Sequence, residues 1–216
     1  MPGEHRWLTP DVRATTLPAA TDELLALWRR EGVARSHLVG YSQGGRLALF
    51  AASRHPDRLL TLTTIGAHAG FEGADRRRRR AEDEALAARI EREGIGWFAA
   101  YWVSLPMFAG LARRGPAFLG ALDAARRRND PAHLAAALRG MGGAAAEPFW
   151  DRLPAVTVPT LLVAGAEDER YVRHAERLRR CLPHARVAVV PEAGHAVHLE
   201  RPRAFAALLA AHVSSR

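Results

Sequence analysis

Apolar residues recur along this chain in two rhythms. Around residues 37–41, 59–65, 159–165 and 185–191 they form short, nearly continuous runs rich in leucine, valine, threonine and isoleucine. Such runs are the pattern of strands covered on both faces. Between them the spacing turns helical. Leu24, Leu25, Leu27 and Trp28 share one face of a helix that opens at Thr21-Asp22-Glu23, with acids in its first turn, and stops at Gly32. A second helix runs from about residue 43 to Arg54 and is halted by Pro56. A third spans 171–182, and a last one begins at Pro202 with Phe205, Leu208, Leu209 and Val213 turned inward. Residues 1–17, with Pro2 and Pro10, show no period and read as loop. Strand, helix, strand repeated in this way predicts an α/β fold: a parallel sheet of about four strands flanked by helices.

From His68 to Trp150 the strand pattern disappears. Arginine, alanine and leucine dominate, and breaks near Gly94, Pro106, Gly115-Pro116 and Pro131 predict several short helices. They read either as an exposed helical surface or as a cap inserted over a site. At 216 residues the chain is a single domain, residues 1–216, with 68–150 as a helical insertion within it.

Composition narrows the function. The net charge of +8 suggests nucleic acid, but all 31 basic residues are arginine, spread along an alanine-rich chain, so the bias is compositional and nucleic-acid binding is not expected. The run Arg76–Arg80 is the one dense cluster. No apolar stretch approaches the roughly 20 residues that span a bilayer, and the first residues lack the apolar core of a signal peptide. Cys181 is the only cysteine, which excludes an intrachain disulfide and predicts a reducing, cytoplasmic setting without membrane contact.

The chemistry centres on His37-Leu38-Val39-Gly40-Tyr41-Ser42-Gln43-Gly44-Gly45-Arg46. A strand, Gly-x-Ser-x-Gly and a helix in that order make a nucleophile elbow, in which glycines two before and two after the serine let the backbones approach. A serine hydroxyl reacts only when a histidine accepts its proton and a carboxylate orients that histidine. Both partners belong at the carboxyl ends of later parallel strands. Leu161–Gly165 leads into Ala166-Glu167-Asp168, and Val187–Val190 leads into Pro191-Glu192-Ala193-Gly194-His195. Ser42, Asp168 and His195 therefore form the candidate triad, in the chain order of α/β-hydrolases. Glu167 or Glu169 competes for the acid, and His198 stands one helical turn from His195. The backbone N–H of Gln43 is one oxyanion donor; the second normally comes from a His-Gly loop after an earlier strand, and no such motif precedes Ser42. Strand 37–41, central in such sheets, lies at an edge here and offers itself for pairing as a homo-oligomer.

Finer motifs narrow the resemblance. Gly40-Tyr41-Ser42-Gln43-Gly44-Gly45-Arg46, the arginine run before Glu82-Asp83-Glu84, Tyr101–Phe108, Arg126–Pro131, Leu138–Gly142 and Ala193–Glu200 resemble the menaquinone-pathway synthase family often called MenH. Relative to that family the amino-terminal third, with its first strands and oxyanion loop, has no counterpart in this chain. The resemblance implies a lyase on a hydrolase fold, which eliminates pyruvate from an enolpyruvyl precursor to give 2-succinyl-6-hydroxy-2,4-cyclohexadiene-1-carboxylate. It implies Ser42 as the base, no acyl-enzyme, no metal and no cofactor. The substrate that the resemblance implies is a small tricarboxylate. Arg46, one of Arg79 and Arg80, and Arg126 match the family's carboxylate-binding arginines, and Tyr41 and Trp102 match its pocket aromatics. Two other readings stand beside it: a general hydrolase of carboxylic esters or carbon–carbon bonds, and an inactive hydrolase portion serving as an interaction module.

Overall fold

The computed structural model describes residues 6–214; that part of the predicted amino-terminal loop falling on residues 1–5 lies outside them. The first helix, α1 (Leu17–Arg30), begins a turn before the predicted start at Thr21. Thr16 explains the difference, because its hydroxyl accepts the Ala19 N–H at 3.4 Å and Pro18 fits the first turn, where no N–H is needed. Leu17, Ala20, Leu24 and Trp28 then form the buried stripe, and Leu25 and Leu27 stay at its margin.

The chain continues as β1 (Ser36–Tyr41), α2 (Gln43–Arg54) and β2 (Leu59–Ile65). A long helical excursion follows: α3 (Gly73–Ser104), a 3-10 segment (Pro106–Arg114), α4 (Pro116–Arg126) and α5 (Pro131–Met141). It returns as β3 (Thr160–Gly165), α6 (Glu169–Cys181), β4 (Ala185–Val190), the short α7 (Val197–Glu200) and α8 (Pro202–Val213). All strand pairs are parallel in the order β1-β2-β3-β4, with Tyr41 beside Ile65 and Ile65 beside Val163.

β3 is buried throughout, and its alternate residues serve both faces. Leu162 and Ala164 join the core formed with α1, α2 and α6, which includes Leu47, Leu49, Leu62, Phe149 and Leu178. Leu161 and Val163 pack on the other face with Ile65, Val190 and Val197, beneath Phe205 and Leu208 of α8. On α8 the fully buried positions are Leu209 and His212, and Val213 is only partly covered. His212 is tolerated inside because its Nε2 meets the Leu62 carbonyl at 3.2 Å. β1 is the half-buried edge of the described sheet.

The segment between β2 and β3 is helical and breaks where predicted. Gly73–Ser104 is two helices joined at a kink, Gly94, whose non-helical φ of 79° is open to glycine. Pro106, Pro116 and Pro131 do mark element starts. Asp130 caps α5 by accepting the amides of Ala132 and His133. α3 and α5 are laced by Arg139, which reaches both Glu84 and Glu91. No single described helix is long and apolar enough to cross a membrane.

Candidate active site

β1 delivers Tyr41 to the carboxyl end of the sheet, and the chain reverses at Ser42 with φ 51° and ψ −114°. That conformation is sparsely populated for a residue with a side chain and is held from both sides. The Ser42 N–H donates to the Ile65 carbonyl at 2.8 Å, and its own carbonyl accepts the Arg46 N–H at 3.0 Å. Gly40 is required, since a β-carbon there would stand 2.3 Å from the Gly44 carbonyl oxygen. The second close approach belongs to Gly45, not to the Gly44 of the motif. A β-carbon on Gly45 would lie 2.8 Å from the Ala67 methyl, whereas one on Gly44 meets nothing within 4 Å. The Gln43 N–H opens α2 and is among the amides that a helix leaves without an internal partner. The Gln43 side chain donates to the Ala137 carbonyl at 3.4 Å. No strand precedes β1 among the described residues.

His195 and Asp168 come to the same point. His195 Nε2 is 3.0 Å from Ser42 Oγ, and its Nδ1 is 2.8 Å from Asp168 Oδ2. A carboxylate only accepts, so Nδ1 carries the proton and Nε2 is left to accept from the serine. Asp168 is oriented in turn as the N-cap of α6, its Oδ1 accepting the Tyr171 N–H at 3.4 Å. The competing acids lie elsewhere: Glu167 pairs with Arg113 and Glu169 with Arg173, both at the surface. His198 packs against Tyr41, with ring centres 4.4 Å apart, and burial followed by the neighbouring His195 pushes it down to about 4.

The imidazole of His195 is walled by rings. Tyr171 lies 4.4 Å from it, Tyr41 5.3 Å and Phe108 5.8 Å, centre to centre. His195 itself is 2% exposed, so its proton chemistry takes place away from bulk water. Burial pushes the Tyr41 and Tyr171 phenols up, which keeps both neutral. Tyr171 and Phe108 were not singled out from the sequence as lining residues. Tyr171 had a legible signal in its place one turn after Asp168.

The predicted arginines fare differently. Arg46 is 3% exposed; its Nη1 donates to the carbonyls of Met141 and Gly142 at 2.8 and 2.6 Å, and Nε and Nη2 are buried without partners. Burial pulls this guanidinium down to about 10, so it remains charged at neutral pH. Arg79 Nε stands 3.0 Å from the buried carboxyl of Asp83, which feels both Arg79 and Arg46. Arg80 is exposed, whereas Arg79 is half-buried beside Asp83. Arg126 is half-buried, with its guanidinium 5.9 Å from the Phe108 ring centre and close enough to Tyr41 to act on its phenol. Trp102 stacks between Phe98 and Phe108 in the apolar wall. Ser42, His195, Asp168, Tyr41, Arg46, Arg126 and Trp102 thus gather under the helical excursion. Among the described residues no group of His, Cys, Asp and Glu side chains is arranged to hold a metal ion.

A serine–histidine–aspartate line at the carboxyl ends of parallel strands defines a class, and the chain belongs to the alpha/beta hydrolase fold family, whose model matches residues 20–202. Within it, the chain is 35% identical over 179 residues to the putative 2-succinyl-6-hydroxy-2,4-cyclohexadiene-1-carboxylate synthase of Bacillus subtilis (strain 168). That match takes in 82% of this chain and 65% of the relative, so the chain spans a little under two thirds of that protein's length. The solved structure of MenH from S. aureus superposes with a TM-score of 0.87 at 26% identity, covering 98% of this chain and 80% of that one. A thermophilic esterase from Thermogutta terrifontis superposes at 0.79 with 26% identity, over 97% of this chain and 75% of its own.

Proposed function

We propose that this chain acts as a 2-succinyl-6-hydroxy-2,4-cyclohexadiene-1-carboxylate synthase, a lyase that releases pyruvate from an enolpyruvyl tricarboxylate. The observation that carries the reading is Arg46, a charged guanidinium held one helical turn from Ser42 with two nitrogens buried and unpartnered. Two buried donors without acceptors are costly, and a carboxylate that accepts from both nitrogens removes that cost. A plain ester supplies no such group. The names of the B. subtilis and S. aureus proteins support the same reading.

In this mechanism His195 Nε2 accepts the Ser42 proton, and Asp168 stabilises the imidazolium. The serine oxygen then takes a proton from a substrate ring carbon. The electron pair of that C–H bond forms a ring double bond, the C–O bond to the enolpyruvyl group breaks, and the departing enolpyruvate takes the proton held by the His195 imidazolium to become pyruvate. Arg46, Arg79 and Arg126 bind the substrate carboxylates, Tyr41 and Trp102 enclose the ring, and the Gln43 N–H stabilises developing negative charge. The single cysteine supports a cytoplasmic setting.

The likeness to the T. terrifontis esterase favours a second reading, hydrolysis of carboxylic esters on the same three residues. Incubating the purified protein with the enolpyruvyl substrate, and separately with an aryl ester, distinguishes them. Pyruvate release dependent on Ser42 is the expected result. Ester turnover without pyruvate overturns the synthase reading.

A further inference from the structure

The loop that presents His195 is held in an unusual way. Its three consecutive amides, those of Gly194, His195 and Ala196, are all engaged, and none through a backbone ladder of helix or sheet. The Gly194 N–H donates to Glu200 Oε2 at 2.8 Å and the Ala196 N–H to Glu200 Oε1 at 3.1 Å. Between them, the His195 N–H donates to the carbonyl of Met107 at 3.2 Å. The Glu200 side chain is 1% exposed, and its counter-ion is Arg113, whose Nη2 lies 3.3 Å from Oε2. Met107 and Arg113 both belong to the 3-10 segment Pro106–Arg114, which covers the site.

We infer that Glu200 is a positioning residue for His195, and that Met107 and Arg113 make the setting of the histidine depend on how the covering segment is seated. A carboxylate is suited to this task because each oxygen accepts independently, so one rigid group spans the amides on both sides of the histidine. A neutral amide can accept at only one of them and would turn an NH2 toward the other. The fit is tight around the carboxylate. A β-carbon on Gly110 would fall 1.8 Å from Glu200 Oε2, and one on Gly194 would fall 3.1 Å from Oε1. Gly110 therefore lets the segment come close enough for its carbonyl and its arginine to reach the loop. The inference rests on the Ser42–His195–Asp168 geometry and not on the choice of substrate.

The test uses two measurements independent of the substrate. One is the rate at which a fluorophosphonate labels Ser42; the other is the far-downfield proton signal of the His195 Nδ1–H bound to Asp168. Glu200→Gln is expected to slow labelling at least about tenfold, since misplacing a catalytic group by ~1 Å costs roughly 10²-fold. The downfield signal shifts or broadens, while the circular dichroism of the folded chain is retained. Arg113→Met moves both readouts in the same direction by less, and serves if Glu200→Gln fails to fold. Glu167→Gln, which removes only the other carboxylate partner of Arg113, leaves both unchanged. A folded Glu200→Gln or Arg113→Met protein with parental labelling and an unmoved signal overturns the inference. Absence of pyruvate release bears on the synthase reading alone.

Discussion

Gly66 turns directly beneath the imidazole of His195. With φ at +57°, it leaves so little room that a β-carbon would stand 2.7 Å from the ring's Cε1 and 2.9 Å from Nδ1. The last residue of β2 is thus followed by the floor of the site, and the histidine fills the volume that a side chain would take.

Gly66→Ala is expected to act on both stability and rate. The methyl group meets a left-handed backbone and a buried ring at once, and residues strained in this way cost roughly 1–3 kcal/mol. The ring must move, so turnover falls by about 10²-fold in line with the cost of a ~1 Å misplacement. Thermal unfolding and kcat/KM measured on one preparation check the two effects together.

Ser42 carries strain of a related kind, with the opposite sign on substitution. Its φ of 51° with ψ of −114° is open to glycine and awkward for serine. Ser42→Gly is therefore expected to raise the unfolding midpoint while abolishing turnover and fluorophosphonate labelling. A fall in the midpoint contradicts the account of the elbow as a strained turn.

The arginines predict a pattern across substrates. Arg46→Lys keeps the charge but loses the planar pair of donors, and hydrogen bonds to charged groups are worth about 1.5–3 kcal/mol, or roughly 10–150-fold in kcat/KM. That loss is expected for a carboxylate substrate and not for a neutral aryl ester. Arg79→Gln weakens the carboxylate substrate in the same sense. Arg80→Gln leaves it unchanged, because that side chain faces solvent.

Acid should destabilise the fold through its histidines. Burial, chiefly, holds His174 and His198 at about 4, and it holds His68 well below 6.5. The unfolded chain protonates these groups near pH 6.5 and the folded chain does not, so the unfolded state binds more protons as pH falls from 6.5 toward 4. Stability is lost across that window. The raised carboxyl of Asp83 works in the other direction and tempers the slope. Urea midpoints between pH 7 and 4 are expected to fall, and His198→Gln to flatten part of the decline.

Much of this site follows from spacing along the chain. The elbow around Ser42, the acid after Leu161–Gly165 and the Gly-His after Val187–Val190 each declare themselves through a strand ending in a characteristic turn. One feature set by near neighbours escapes the apolar pattern. Thr16 starts α1 early because its hydroxyl takes up a free amide, a contact that apolar periodicity does not register.

What the sequence by itself determined is the order of strands and helices and the residue types at the strand ends, because backbone sterics and apolar period act between near neighbours. What only the tertiary structure decided is which of those groups meet. Ser42 and His195 are 153 residues apart in sequence, and Arg46 finds its carbonyl partners 95 and 96 residues away. The same holds for Gly45 over Gly44 at the close approach, Arg79 over Arg80 beside Asp83, and Glu200 beside His195. Burial and packing select among chemically equal candidates by which face of an element turns inward, and only the folded chain sets that face.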